Sequence, residues 1–243
     1  MFDNHFEVVL ADTEWAKNIH YNLRYRVYCL ERGYEDPQAY PDLRERDRYD
    51  DISTHFVIRS FESHEWLAAL RLITVPFDSL PINRVSEIYN HQLPEFSKGE
   101  VAELSRLCAV TPKEKLTFGS ASTTSWISMA FMRAARSYAL EHNIRYFFVL
   151  IADSLARILN RAGIEFTPVG PISNYRGKRR PYIHDVQLGY RYMAVKTPEI
   201  HKMFCHAPAY RLASESYSPT SKSNNRAAVR QRSYDNVLFS RSI

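Results

Sequence analysis

The sequence predicts an α+β fold in which helices cover both faces of a mixed β-sheet. Strand-type and helix-type patterns alternate over residues 101–110, 120–142 and 145–151, and this order predicts a right-handed crossover between two parallel strands. With 243 residues, 45% of them hydrophobic, the chain is long enough to bury one core. We therefore expect one domain over residues 1–212 and a basic, mobile tail over residues 213–243.

The N-terminal region predicts a strand followed by a helix. Residues 6–10 are rich in β-formers, and Asp12 or Thr13 is suited to accept the first free amide groups of a helix as its N-cap. The apolar residues that follow recur at helical spacing and predict one buried stripe, formed by Ile19, Leu23, Val27 and Leu30. This helix should end near Gly33.

The next region predicts a long loop and then a β-hairpin. Residues 35–51 are dense in Asp, Arg and Pro without apolar periodicity, which is typical of a loop. Ordered loops of this length are often functional. Two β-rich runs, 55–59 and 67–75, are joined by the polar turn 62–65 and predict an antiparallel pair.

The C-terminal half continues the alternation of helices and strands. The long helix should bury a stripe made of Ile127, Ala130, Phe131 and Ala134. Asp153 should cap a further helix that ends at Gly163. Residues 164–169 and 187–196 are expected to be the last strands.

The composition favours a cytoplasmic protein that meets an acidic partner. The chain shows no apolar run of membrane-spanning length and no basic-then-apolar leader, and its three cysteines are not in metal-ligand spacing. We therefore expect no signal peptide, disulfide framework or metal site. The net charge of +5 comes largely from the tail, and it can attract nucleic acid, an anionic membrane or an acidic carrier protein.

Four separated motifs carry a family resemblance. They are the run from Arg24 to Tyr34, the acidic loop from Glu45 to Asp51 with Thr54 and His55 after it, Arg71, and the segment Glu103, Leu104, Ser105, Arg106. In this order they resemble the charged signature of acyl-homoserine-lactone synthases and their relatives. The resemblance covers residues 6–195 and leaves the tail unexplained.

Two further features narrow the resemblance: the run from Arg24 to Cys29, and the residues Gly163, Ile164, Phe166, Pro168, Gly170 and Pro171 followed by Tyr175, Gly177, Pro181 and Tyr182. With these features the chain most resembles the bacterial PEP-CTERM/exosortase system-associated acyltransferases and the N-acyl amino acid synthases. The resemblance implies a GNAT-like fold with a mostly antiparallel central sheet. It also implies a fatty acyl donor carried as a thioester on acyl carrier protein, and an amine as acceptor. Tyr28 and Tyr34 replace the aromatic residues usual in lactone synthases, and these departures argue against lactone formation and use of S-adenosylmethionine.

The candidate catalytic residues lie on the strand 101–110. A carboxylate beside the thioester can remove the proton that amide formation releases, and Glu103 is the candidate base; the alternative is a solvated strand carboxylate. Ser105 shares its face because strand side chains alternate, and it is either near the thioester or a core serine bonded to backbone. Arg106 is expected on the face of Leu104, unless the strand bulges, and to pair with the acidic loop.

A second set of candidates forms a substrate-binding site or charge network. Guanidinium–carboxylate pairs are geometrically demanding, so such a network can close the loop over the acceptor. The alternatives are that the charges only pin the loop to the sheet and that the tyrosines are ordinary core residues. The set comprises Arg24, Tyr28, Tyr34, Asp47, Asp50, Arg71 and Arg106.

The donor is predicted from the loop over residues 113–122, which contains one glycine. Pyrophosphate-binding loops of acyl-CoA enzymes are Gly-rich, so this loop suits the single phosphate of a phosphopantetheine arm better. Five basic residues are candidates for contact with the acidic carrier, the alternative being a solvated basic surface. They are Lys113, Lys115, Lys178, Arg179 and Arg180.

Three functions remain open at the level of sequence. The first is transfer of a fatty acyl group from acyl carrier protein to an amino acid or similar small amine, with no permanently bound cofactor and no nucleic-acid partner. The second is an acyl-CoA-dependent GNAT enzyme that acts on a small amine or a protein, or a lactone synthase. The third is a non-catalytic module that binds an anionic membrane or nucleic acid through the tail.

Overall fold

The computed structural model describes residues 5–110, 123–206 and 208–217, and within these ranges one nine-stranded sheet organises the chain. The strands are Phe6–Leu10 (β1), Ser53–Ser60 (β2), Trp66–Ile73 (β3), Val101–Ala109 (β4), Tyr146–Ile151 (β5), Thr167–Pro168 (β6), Ser173–Asn174 (β7), Lys178–Asp185 (β8) and Arg211–Leu212 (β9). The helices are Glu14–Arg24 (α1), the π-helical segment Tyr25–Glu31, Ile82–Val85 (α2), Thr123–Glu141 (α3), Asp153–Arg161 (α4), Val186–Lys196 (α5), Pro198–Cys205 (α6) and Ala213–Ser216 (α7). Short 3₁₀ turns occur at Pro37–Ala39, Asp50–Ile52, Phe77–Ser79 and Asn90–Gln92.

The sheet is mixed, as predicted. Its strand order is β6-β8-β5-β4-β3-β2-β1-β9, with β7 paired to β8. β2 and β3 form the predicted antiparallel hairpin, and β4 and β5 form the predicted parallel pair across α3. β9 also runs parallel to β1, and the other pairs are antiparallel.

The parallel pair diverges in the middle of the sheet. Pairing of β4 with β5 ends at Leu104 and Val149, although β4 continues to Ala109. β4 also carries a bulge, because its register with β3 shifts between Ala69 and Arg71. A bulge inserts an extra residue and bends the strand, so the C-terminal part of β4 leaves β5 and opens a gap between them.

Two apolar clusters cover the sheet. The larger one includes the predicted stripe of α3, whose members Ile127, Ala130, Phe131 and Ala134 are all buried. The smaller cluster is formed by Leu80, Ile82, Val101, Tyr146, Phe148 and Val169. It covers the sheet where β4 and β5 are still paired, so the gap begins at the edge of a rigid core.

The first helix changes its winding half-way. Thr13 is its N-cap and accepts the Ala16 N–H at 3.3 Å. After Arg24 the chain continues as a π-helix, whose wider turn shifts the stripe predicted from regular helical spacing. The prediction that Leu30 is buried is therefore wrong, since its side chain is 61% exposed.

Two predictions near the C-terminus are also wrong. The segment predicted as a strand at 187–196 is α5, because the Asp185 carboxylate accepts the N–H groups of Gln187 and Leu188 and starts a helix. The preceding residues, Lys178–Asp185, occupy the strand position beside β5 instead. Residues 164–169 contribute only the two-residue strand β6.

The first residues of the expected tail pack against the N-terminal strands. The Ser214 N–H donates to Asp12 at 2.9 Å, the Tyr217 hydroxyl donates to Glu7, and Arg59 donates to the Tyr217 hydroxyl at 3.0 Å. Residues 218–243 lie outside the described part of the chain. None of the described helices has the length and apolar character needed to cross a bilayer.

Candidate functional site

A buried charge network lies where α1, the acidic loop and the central strands meet. Arg24, at the end of α1, is fully buried. Its Nε donates to Glu45, and its Nη1 donates to Asp50 at 2.6 Å. Because an unpaired guanidinium would be very costly at this depth, the two carboxylates fix the acidic loop against α1.

Arg71 connects the same loop to the sheet. Its Nη1 donates to Asp47 at 2.6 Å and to Asp50 at 3.0 Å, while its Nε donates to the Ser105 hydroxyl at 3.2 Å. Arg71 and Ser105 are cross-strand partners in β3 and β4. The loop is therefore held by α1 and by two central strands at once.

Arg106 reaches the network because of the bulge. Its backbone has φ +54°, and its Nη2 donates to Glu45 at 3.2 Å and to Asp47 at 2.8 Å. It therefore pairs with the acidic loop, as expected, and shares Asp47 with Arg71. Because β4 bulges, the stated exception to a place on the face of Leu104 applies. The bulge supplies the extra residue that breaks strand alternation.

The electrostatics of the network follow from three guanidinium groups facing three carboxylates. Burial alone raises the pKa of Asp50, but Arg24 and Arg71 outweigh burial and hold that pKa well below its ordinary value. For Asp47, burial is likewise outweighed by Arg71 and Arg106, and the pKa is lowered. Both carboxylates therefore stay charged across the neutral pH range.

Glu103 lies two residues before Ser105, at the point where β4 and β5 separate. It is 5% exposed, so the alternative of a solvated strand carboxylate is wrong. Its Oε2 accepts the Ile82 N–H of α2 at 2.7 Å. Burial raises its pKa to about 7, against the opposing effects of that N–H and of Arg71 and Arg106. A carboxylate with this pKa can exchange a proton near neutral pH.

The two candidate tyrosines differ in their surroundings. Tyr28 is buried in the π-helical segment, and its hydroxyl donates to the Leu107 carbonyl of β4 at 3.1 Å. Tyr34 is 37% exposed, and its ring centroid lies 6.2 Å from that of Tyr28. Tyr28 thus tethers the π-helix to the strand that leaves the sheet, whereas Tyr34 lies near the surface.

The candidate carrier-binding residues fall in two places. Lys178 and Arg179 begin β8 beside the gap and are partly or largely exposed, and Arg180 lies 3.4 Å from Asp153. Lys113 and Lys115, with the loop 113–122, lie outside the described residues. Lys178, Arg179 and Arg180 therefore lie at the start of β8, next to the end of β5 that no longer pairs with β4.

One residue of the network and two histidines beside it were missing from the predicted set. Glu45 bridges Arg24 and Arg106, although the sequence indicated it only as a member of the acidic loop. The Nε2 atom of His55 lies 3.0 Å from the Asp50 carbonyl oxygen. The ring centroid of His55 lies 4.5 Å from that of the fully buried His20. Burial lowers the pKa of both imidazoles, which are thus neutral at neutral pH. The spacing of four residues between His20 and Arg24 is a signal that could have placed this histidine beside the network.

The arrangement joins three features that acyl transfer needs. β4 and β5 stop pairing after Leu104 and Val149, Glu103 offers a proton acceptor beside that point, and the charge network fixes a loop next to both. Backbone N–H groups released where strands separate can also stabilise a developing oxyanion.

Comparison with known proteins identifies the fold that carries this site. A family described as "Acetyltransferase (GNAT) domain" matches residues 23–114, a range that contains the charge network and Glu103. The chain has the GNAT fold. No curated protein matches the sequence significantly.

Solved structures share the GNAT fold at low sequence identity. The acyl-homoserine-lactone synthase LasI is 18% identical, with a TM-score of 0.57 over 75% of this chain and 91% of LasI. The CoA-dependent acyl-homoserine lactone synthase BjaI, solved with SAM and isopentyl-CoA, is 16% identical, with a TM-score of 0.61 over 86% of this chain and 92% of BjaI. FeeM, an N-acyl amino acid synthase from uncultured soil microbes, is 15% identical, with a TM-score of 0.54 over 78% of this chain and 95% of FeeM.

The GNAT fold predicted from the sequence is thereby confirmed. The matched domain, together with the fold, supports the prediction that the chain is an acyltransferase.

Proposed function

We propose that this protein transfers a fatty acyl group from an acyl carrier protein thioester to the amine of an amino acid or a similar small amine. The product is an N-acyl amino acid. The observation that carries the proposal is Glu103, a buried carboxylate with a pKa raised to about 7 that lies where β4 leaves β5.

In this reaction the amine nitrogen attacks the thioester carbonyl carbon. A C–N bond forms, the C–S bond breaks, and the phosphopantetheine thiol leaves. The acceptor arrives mainly as an ammonium and must lose a proton before it attacks, and Glu103 takes this proton directly or through one water. Ile82 holds the accepting oxygen in place through its N–H, since Oε2 is 2.7 Å from that nitrogen.

The acidic loop encloses the acceptor on this proposal. Arg71 and Arg106 both bind Asp47, and Arg71 also binds Asp50, so the loop is held beside Ser105 and Glu103. A loop held by several charge-assisted bonds can orient an amine with little entropy cost at the moment of reaction. Tyr34, which is partly exposed near Tyr28, lines the approach to this enclosure.

Acyl carrier protein is the proposed donor because the basic β7–β8 hairpin suits an acidic partner. Lys178, Arg179 and Arg180 are consecutive at the start of β8. An acyl-CoA donor is the alternative, and BjaI, which shares the fold, is described as CoA-dependent. The proposal also places the protein in the cytoplasm and relates it to the PEP-CTERM/exosortase system-associated acyltransferases.

The donor is tested by incubating the pure protein with one acyl chain presented on carrier protein or on CoA, with a mixture of amino acids as acceptors. We expect amide products in mass spectra, with the higher kcat/KM for the carrier-bound donor. A preference for CoA would overturn the carrier assignment, and the absence of any amide from either donor would overturn the function. Lipid extracts from expressing cells, compared with cells expressing Glu103→Gln, would identify both halves of the product.

Truncation separates this function from a binding module that acts through the tail. The cut belongs after Tyr217, because Ser214 and Tyr217 bind the N-terminal strands. We expect the protein without residues 218–243 to retain its acyl transfer activity. Binding of the full-length protein to anionic vesicles that is lost on truncation, with no amide formed by either protein, would support the module instead.

A further inference from the structure

Two guanidinium groups face the ring of Tyr28. The Cζ of Arg106 lies 5.9 Å from the ring centroid, and the Cζ of Arg176 lies 5.6 Å from it. Arg106 belongs to the charge network described above, whereas Arg176 belongs to the turn between β7 and β8. The Tyr28 ring thus connects the network to a second part of the fold.

The two arginines belong to opposite sides of the gap. Tyr28 is tied to β4, because its hydroxyl donates to the Leu107 carbonyl at 3.1 Å. Arg176 is carried by the β7–β8 hairpin, which is tied to β5 through the pairing of Arg180 with Ile151. Contact between Arg176 and Tyr28 therefore crosses the region where β4 and β5 no longer pair.

An ion pair reinforces this crossing. Arg176 pairs with Glu35, which follows the π-helical segment and whose N–H donates to the Tyr28 carbonyl at 3.2 Å. The two side chains are 19% and 21% exposed, so the pair lies at the rim of the gap. Opening this rim requires the separation of one partly exposed ion pair and of the contact between Arg176 and the Tyr28 ring, and partly exposed ion pairs typically contribute little stability.

The turn holds Arg176 in an unfavourable backbone conformation. Arg176 has φ +52°, in the left-handed region that disfavours residues with a side chain, and Gly177 after it has φ +99°. A non-glycine residue in this conformation costs about 1 kcal/mol or more and persists where its surroundings hold it. In Arg176 the side chain supplies such contacts, to Glu35 and to the Tyr28 ring.

We propose that the Arg176–Glu35 pair is a latch that joins the two sides of the gap between β4 and β5 and keeps water from the bound acyl thioester. The inference rests on the proposed function and places the thioester in this gap, beside Glu103. With the latch closed, the amine attacks the thioester carbonyl. With the latch broken, water also attacks the same carbon, the C–S bond breaks, and a free fatty acid and a thiol are released. Arg176 and Glu35 are positioning residues, since they act through access to the site.

The test compares Glu35→Gln, Arg176→Gln and the double variant with the wild-type protein. Arg145→Gln is the matched control, because Arg145 pairs with Asp185 at 3.3 Å at the opposite end of the β5–β8 pair. With an acyl carrier thioester and an excess of amine, mass spectrometry gives the ratio of free fatty acid to amide. Hydrogen–deuterium exchange of residues 173–179 reports opening of the hairpin without any need for turnover.

Each latch variant should raise the ratio of acid to amide by roughly two- to fivefold, the range set by the loss of one partly exposed ion pair. Exchange in residues 173–179 should become faster by a similar factor. The double variant should match Arg176→Gln, because both lose the ion pair and the contact with the Tyr28 ring, and Arg145→Gln should match the wild type. A wild-type product ratio in the latch variants, with or without faster exchange, would overturn the latch. If the wild-type protein forms no amide, the proposed function is overturned. The latch is then judged by hydrogen–deuterium exchange alone: exchange of residues 173–179 at the wild-type rate in the variants would overturn it.

Discussion

Replacement of Glu103 by Gln tests both the chemistry and the energetics of the site. Gln has nearly the same size and keeps a carbonyl that can accept the Ile82 N–H, so the fold should persist. The substitution removes the only group at this position that can take a proton. General-base catalysis contributes roughly 10²- to 10⁴-fold, and amide formation should fall by about that factor.

The same substitution has a calculable effect on stability. Burial raises the pKa of Glu103 from 4.5 to about 7, so the folded protein binds more protons than the unfolded chain between these values. The free energy of unfolding should therefore fall as the pH rises through this window. At about 1.4 kcal/mol per pH unit, the full loss is about 3 kcal/mol.

The assay is urea unfolding, followed by circular dichroism, at pH values from 4 to 8. The fall in stability attributable to Glu103 should be present in the wild type and in the control Glu95→Gln, which alters an exposed carboxylate, and absent in Glu103→Gln. kcat/KM should also rise as the pH increases through about 7, because Glu103 then loses its proton. Equal pH slopes in all three proteins, or wild-type turnover in Glu103→Gln, would refute the reasoning.

Three further predictions concern the charge network. Asp50→Asn removes one carboxylate from two buried guanidinium groups and should destabilise the protein by about 3 kcal/mol or more at pH 7, measured by urea unfolding. Asp51→Asn, at an exposed position, is the control and should have little effect. Equal urea midpoints for the two variants would contradict the prediction. Asp47→Asn removes charge-assisted bonds to Arg71 and Arg106 and should lower the free energy of unfolding by about 2 kcal/mol. It should also reduce turnover and speed proteolysis within residues 42–51. Unchanged cleavage there would argue against a loop held by charge. Tyr28→Phe should lower the free energy of unfolding by about 1 kcal/mol by leaving a strand carbonyl unpaired, while Tyr34→Phe serves as the exposed control and should leave it unchanged.

The members of the charge network were largely predictable, but their geometry was not. Arg24, the acidic loop with Asp47 and Asp50, and Arg71 are separated by about 20 residues or more, and only the resemblance of four motifs in order grouped them before the structure did. Their pairing depends on where α1 and the loop pack on the sheet, which is a tertiary property. Glu45 was overlooked for the same reason, since an acidic loop offers several carboxylates and only packing selects among them.

The sequence by itself determined the sheet of the central region, because β2, β3, β4 and β5 are apolar, β-forming runs of strand length that must be buried. It did not determine α5, where an aspartate cap outweighed the β-like composition of the segment. Nor did it determine the bulge at Arg106 or the π-helix that directs Tyr28. Both are departures from regular spacing, so they have no periodic pattern of their own, and they become stable only when the opposing arginines, carboxylates and strand carbonyls are assembled around them.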